Sequence, residues 1–255
     1  MLIAGHHVAG IGLGTAQFAF RDVTTAESVA TVRAALDAGV TLIDTALAYT
    51  RPGIVSYAER VVSRALRDVT RDRPLVATKG GHWRDGDSFP VDGRPEVLRA
   101  HCEISLRTLE VDRIDLYQLH HVDAKVPLAE SVGALEGLRQ EGKIAAIGLS
   151  NVTVAQLDQA LAIAPVAAVQ NQLSYGRPDD LPTALACGER GIAYLAYKVF
   201  AGAPERPRKQ RSQLPGGVAC RCSACCWRGS VNRRRTSSRL SGPAGLRPSA
   251  TPRPR

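Results

Sequence analysis

Between residues 11 and 197, seven short β-type runs alternate with six amphipathic helical stretches, and this alternation limits the fold more than any other feature. The runs cover residues 11–13, 40–43, 75–78, 114–119, 144–149, 166–169 and 192–196. Strands separated by helices pair in parallel, because each helix carries the chain back to the end where the next strand starts. The helical signals are explicit. Thr24 stands three residues before Glu27 as a capping box, Val29, Val32, Leu36 and Val40 mark one face, and Gly39 suits the stop. Pro95 opens a later helix carrying Val97, Leu98, Ile104, Leu106 and Leu109. Others are expected over about residues 58–69 and 180–189, on the Val132, Leu135, Leu138 stripe that stops near Gly142, and around Leu157 and Leu161.

Two architectures satisfy strict alternation. A (β/α)8 barrel runs to about 250 residues, and seven units on one chain favour an incomplete barrel with seven strands and six helices. A doubly wound open sheet is the alternative, and it normally carries G-x-G-x-x-G after its first strand. Here the glycines read Gly10-Ile-Gly12-Leu-Gly14-Thr-Ala-Gln, so the third glycine is absent, which favours the barrel.

The formal charge of +9 first points to a polyanionic partner. It is not spread over the chain. Residues 201–255 hold 13 Lys/Arg against the single acid Glu205, whereas residues 1–200 hold 20 bases and 23 acids, a balance of −3. The organisation expected is therefore a barrel over residues 1–200 and a basic, Arg/Pro/Ser-rich tail over 201–255. Cys102 and Cys187 are scattered in the body, which argues against a disulfide framework and for a reducing compartment. The N-terminus lacks a charged start and apolar stretch, and no apolar run approaches the roughly 18–20 residues that span a bilayer. A cytoplasmic protein without membrane partner is the expectation.

In a parallel barrel, chemistry gathers just past the C-terminal ends of the strands. Those places hold Asp44, Lys79, His120, Ser150, Asn151, Gln172 and Tyr197, and Tyr49 follows Asp44 by five residues. Each has an ordinary role alone, such as a turn, a cap or a surface hydrogen bond. Together they suit one task. A lysine beside a tyrosine favours the phenolate, a carboxylate keeps the lysine charged, and a histidine donates to an oxygen on which charge develops. Such a set suits protonating an alkoxide while hydride arrives from a cofactor.

The sequence resembles the aldo-keto reductases on Leu-Ile-Asp44-Thr-Ala-Leu-Ala-Tyr49, Val-Ala-Thr-Lys79-Gly-Gly and Asp115-Leu-Tyr-Gln-Leu-His120. Gly-Lys143-Ile-Ala-Ala-Ile-Gly-Leu-Ser150-Asn151 and Val-Gln-Asn-Gln172-Leu-Ser-Tyr extend the match from about Gly10 to Tyr197. The resemblance implies a (β/α)8 barrel that reduces an aldehyde or ketone with NADPH. It implies Tyr49 as general acid, Lys79 as its partner, Asp44 as the lysine's counter-charge and His120 as the group orienting the carbonyl. By the same resemblance Ser150, Asn151 and Gln172 would bind the nicotinamide carboxamide, and the Tyr197 ring would stack on the nicotinamide. His120 rather than His121 holds the motif position. Trp83 would either line the substrate pocket or pack its own loop. The runner-up is a non-catalytic nucleotide-binding module or a decayed reductase fragment.

The resemblance stops after Tyr197. Family members continue with a serine, a proline and a glycine-containing loop, whereas this chain reads Lys198-Val-Phe-Ala-Gly-Ala-Pro-Glu-Arg-Pro. No strand or helix pattern follows, and no residue can be carried over for the family's grip on the adenosine 2′-phosphate. Proline, arginine and serine dominate, a composition expected to stay disordered. The abrupt change favours a frameshift in a GC-rich gene. A nucleic-acid arm built on Arg233-Arg234-Arg235 lacks aromatic interleaving, and four thiols at Cys220, Cys222, Cys225 and Cys226 crowd a zinc tetrahedron. A barrel stopping at its seventh strand would expose open edges, so poor solubility and weak NADPH binding are expected.

Overall fold

Strand order decides between the two architectures. The computed structural model describes residues 1–70 and 72–202. The main sheet is formed by β3 (Leu13–Gly14), β4 (Leu42–Asp44), β5 (Leu75–Gly80), β6 (Ile114–Leu119), β7 (Ile144–Ser150), β8 (Val166–Gln172) and β9 (Ala193–Tyr197), all parallel. Each strand pairs with its neighbours in sequence, in the order β3-β4-β5-β6-β7-β8-β9. A doubly wound sheet reverses that order at a switch point, whereas a barrel does not. The described residues thus form a curled, seven-stranded part of a (β/α)8 barrel.

The connecting helices are α2 (Thr25–Asp37), α3 (Tyr57–Leu66), α4 (Pro95–Leu109), α5 (Leu128–Gln140), α6 (Val154–Leu161) and α7 (Leu181–Glu189), preceded by a short α1 (Ala16–Phe20). The Thr24–Glu27 capping box forms as the sequence predicts, and Thr153 with Gln156 forms a second one at α6. Period-two alternation along the strands sorts their side chains into two sets. Ile43, Val76, Tyr117, Leu119, Ile147, Leu149 and Val169 pack outward against Val32, Val61, Leu98, Leu135 and Leu157 of the helices. Leu42, Leu75, Ala77, Leu116, Ala146, Ala168, Ala193 and Leu195 form the inner cluster. Two positions further on, the same inward register delivers Asp44, Lys79, Gln118, Gly148, Gln170 and Tyr197.

Sequence reasoning misses two elements. Leu2–Ile3 (β1) and His6–His7 (β2) pair antiparallel across a turn in which Ala4 and Gly5 have φ of 49° and 83°. Two-residue strands carry too little periodicity to be seen. Ile3 and Val8 nevertheless join the inner cluster beside Leu42 and Leu75, and the Ala9 N–H donates to Thr41 Oγ1 at 2.8 Å. The hairpin therefore covers the end where the strands start. The second element is α1, whose five residues are too few for a helical stripe. The first strand also begins later than expected, since Ile11 is exposed and pairing starts at Leu13.

The barrel and tail boundary expected at residue 200 is left untested, because residues 203–255, with Arg233–235 and the four clustered cysteines, lie outside the described residues. Cys102 and Cys187 are free and buried. Among the described residues no helix is long and apolar enough to cross a membrane.

Candidate active site

The ends of β4 and β5 build the centre of the site. After β4 the chain stays alongside β5, with the Thr45 N–H donating to Ala77 O at 2.8 Å and the Leu47 N–H to Lys79 O at 3.3 Å. It then turns, Tyr49 N–H to Ala46 O at 3.1 Å, and the Ala58 N–H at the start of α3 donates to Tyr49 O at 3.0 Å. This places Tyr49 over the inward side chain of Lys79, whose Nζ lies 5.3 Å from the phenol ring centroid. Lys79 Nζ donates to Asp44 Oδ1 at 2.7 Å and to Thr45 O at 2.9 Å. Gln118 Nε2 approaches the same Asp44 oxygen at 3.5 Å. The His120 ring stands edge-on to Tyr49 at 5.9 Å between centroids. Asp44, Tyr49, Lys79 and His120 are thus brought together as the sequence predicts.

Burial governs the electrostatics. For Lys79 burial works against the ammonium, but Asp44 and then Tyr49 outweigh it, and the pKa stands above the ordinary value. Tyr49 departs from expectation. Burial pushes its phenol up, and although Lys79 pulls the other way the net direction is upward, so the hydroxyl holds its proton at neutral pH. His120 lies well below its ordinary pKa, chiefly through burial, then through Lys79, His82 and His121. It is a neutral imidazole whose buried Nδ1 has no hydrogen-bond partner among the described residues.

The other side of the mouth comes from β7, β8 and β9. Ser150 Oγ donates to Gln170 O at 2.9 Å. Asn151, at φ 58°, donates from Nδ2 to His120 O and to Ser150 Oγ, each at 3.0 Å. Its Oδ1 accepts from the Tyr197 hydroxyl at 2.6 Å. Asn151 thereby ties the histidine, serine and tyrosine together. Gln172 ends β8 in register with Tyr197.

Further residues join the site that sequence reasoning did not assign. Gln118 and Gln170 are buried at inward positions of β6 and β8, and the signal for both is the period-two count from Leu116 and Ala168. The room for Gln118 comes from Gly148, where a Cβ would lie 2.6 Å from Gln118 Cγ. His82 and His121 pack on His120 with centroids at 4.8 and 5.0 Å, and Phe89 stacks on His82. Phe20 of α1 lies 6.0 Å from Tyr49 and 6.1 Å from Phe89, which closes an aromatic arc around the mouth. Burial, then His82 and Lys79, depress His121 to about 4. Trp83 is edge-on to His101 of α4 at 5.6 Å.

Known proteins resemble this chain in sequence and in fold. The sequence profile described as the aldo/keto reductase family matches residues 10–217. A probable aldo-keto reductase 1 of Glycine max is 34% identical over 200 residues, covering 76% of this chain and 56% of that protein. The aldo-keto reductase YhdN of Bacillus subtilis is 38% identical over 173 residues, 65% of this chain and 50% of that one. The chain thus spans about half the length of these curated relatives. An aldo/keto reductase of Klebsiella pneumoniae, solved in complex with NADP and acetate, superposes with a TM-score of 0.61 at 33% identity, covering 74% of this chain and 64% of that one. With the sequential parallel sheet and the profile match across most of the chain, this protein belongs to the aldo/keto reductase family.

Proposed function

We propose that the chain is an oxidoreductase that reduces the carbonyl group of an aldehyde or ketone to an alcohol with NADPH. The observation that carries this reading is the buried Lys79–Asp44 pair beneath the Tyr49 ring, with the neutral His120 beside it. NADPH, when bound, would supply the hydride. The residues fit it at the nicotinamide end. Ser150, Asn151 and Gln172 offer amide and hydroxyl groups for the carboxamide, Tyr197 an aromatic face, and His120 Nδ1 is a buried polar atom without a partner among the described residues.

The chain's own groups then divide the work. His120, neutral at physiological pH, has one N–H to donate to the carbonyl oxygen and no spare proton to give. The proton therefore comes from the Tyr49 hydroxyl. An alkoxide is far more basic than a phenolate, so transfer runs downhill even from a phenol held above its ordinary pKa. Lys79 stabilises the phenolate left behind, and Asp44 holds Lys79 charged and in place. Among the described residues none is assigned to the adenosine phosphates.

Turnover of a panel of aldehydes with NADPH, compared between the wild-type chain and Tyr49→Phe, tests it. Loss of turnover with binding retained supports the reading. Unchanged turnover in Tyr49→Phe overturns it, and nucleotide binding without turnover by the wild type moves the chain to a non-catalytic nucleotide-binding module.

A further inference from the structure

Glu59 is a fully buried carboxylate behind the site, and among the described residues it forms no ion pair. It stands at the third position of α3, three and seven residues before the buried Val62 and Leu66, on the stripe that faces the core. A glutamate at that position ordinarily reaches back through solvent to the N-cap backbone. Here it turns inward. Ser56 Oγ donates to Oε2, and Thr78 Oγ1 donates to Oε1 at 2.5 Å. Burying a carboxylate is costly unless hydrogen bonds and nearby positive charge offset it. Burial pushes its pKa up, while Ser56, Thr78, Ser105 and the more distant Lys79 favour the charged form. Ser56 also holds a left-handed backbone, φ 56°, a conformation that is strained for a non-glycine residue.

The partners of Glu59 belong to the two pieces of chain that carry the reacting pair. Thr78 is the neighbour of Lys79 on β5. Alternation sends the threonine outward to Glu59 and the lysine inward to Asp44. Ser56 closes the loop that begins at Tyr49, and the Ala58 N–H, one residue before Glu59, donates to Tyr49 O at 3.0 Å. Within that loop the Ile54 N–H donates to Arg51 O at 2.9 Å. We propose that Glu59 is a positioning residue, a strap whose bonds to Ser56 and Thr78 fix the strand bearing Lys79 against the loop bearing Tyr49. It touches no reacting atom, and it rests on the reading of Tyr49 and Lys79 given above.

The test compares full-length wild type, Thr78→Val, Glu59→Ala and Glu59→Gln by steady-state kinetics and by titration of the ring carbon of 13C-labelled tyrosine over about pH 8–12. The Tyr49 resonance is assigned by its loss in Tyr49→Phe. Thr78→Val and Glu59→Ala are expected to lower kcat at least about tenfold with KM nearly unchanged. The Tyr49 midpoint should rise by about one unit as Lys79 drifts from the ring. Glu59→Gln is expected to restore both, because its amide keeps an acceptor for Thr78 and a donor for Ser56. If Glu59→Ala fails to fold, the isosteric Thr78→Val decides. A folded Thr78→Val with wild-type kcat and Tyr49 midpoint overturns the strap, as does Glu59→Gln behaving like Glu59→Ala. Failure of the underlying reading shows instead as turnover by Tyr49→Phe. If the wild type shows no turnover, the Tyr49 midpoint decides alone.

Discussion

Lys79 Nζ lies 2.7 Å from Asp44 Oδ1, with the lysine side chain 1% and the aspartate side chain 16% exposed. An ammonium so deeply placed depends on that carboxylate. Asp44→Asn leaves a buried charge without its partner, which costs about 3–5 kcal/mol where pairs of this kind have been broken. Urea unfolding at neutral pH measures the loss. The deficit relative to wild type should shrink as pH rises, since an unpaired Lys79 can shed its proton.

Alkaline pH probes the same pair in the wild type. Lys79 and Tyr49 both stand above their ordinary values of 10.5 and 10.0 in the folded chain. Groups raised in this way give stability that is complete below the unfolded pKa and is lost as pH climbs through the folded one. Unfolding free energy should therefore be level from about pH 7 to about pH 10 and fall above that. Tyr49→Phe should reduce the slope of that fall.

Acid probes the histidines. His120 and His121 are depressed by burial first, His121 to about 4. Their stabilisation is present above the unfolded value of 6.5 and disappears as pH falls through the folded one. Wild type should lose up to about 2 kcal/mol per histidine between pH 6.5 and 5. His121→Phe, which keeps a ring against His82 and His120, should lose less on the same descent, read by urea unfolding at the two pH values.

Gly80 tests close packing behind the site. A Cβ there would lie 1.9 Å from the Tyr117 hydroxyl, which donates to Leu98 O at 3.2 Å. Gly80→Ala should destabilise the fold by about 1–3 kcal/mol or more, read as a lowered Tm. Tyr117→Phe should relieve part of that cost in the double mutant.

Under the proposed reduction, the aromatic arc of Phe20, Phe89 and His82 is expected to contact the substrate. Phe89→Ala removes a ring stacked at 5.7 Å on His82 and 6.1 Å from Phe20. It should raise KM for an apolar aldehyde by about tenfold or more with kcat little changed, because the interaction is shared by ground and transition states.

Much of this fold is legible in the sequence. All seven parallel strands and six of the helices occur in the order that alternation and capping signals predict, the first strand starting at Leu13 rather than Ile11, since both signals depend on neighbours a few residues away. Asp44, Lys79 and His120 were readable because strand ends point to one mouth. Gln118 and Gln170 follow from the inward register, but as uncharged residues inside apolar strands they carry no sequence signal of their own. Phe20, Phe89 and His82 were not, because they lie on loops and a short helix whose course follows from long-range contacts.

By itself the sequence determined the order of strands and helices, the inward register and the residue types at the mouth, because hydrophobic period and caps are local. Only the tertiary structure decided that Lys79 and Asp44, 35 residues apart, are a bonded pair. It also decided that burial outweighs Lys79 at the Tyr49 phenol and turns Glu59 inward to Thr78. Those outcomes depend on how much water is excluded around each group, and water is excluded only once distant segments have packed.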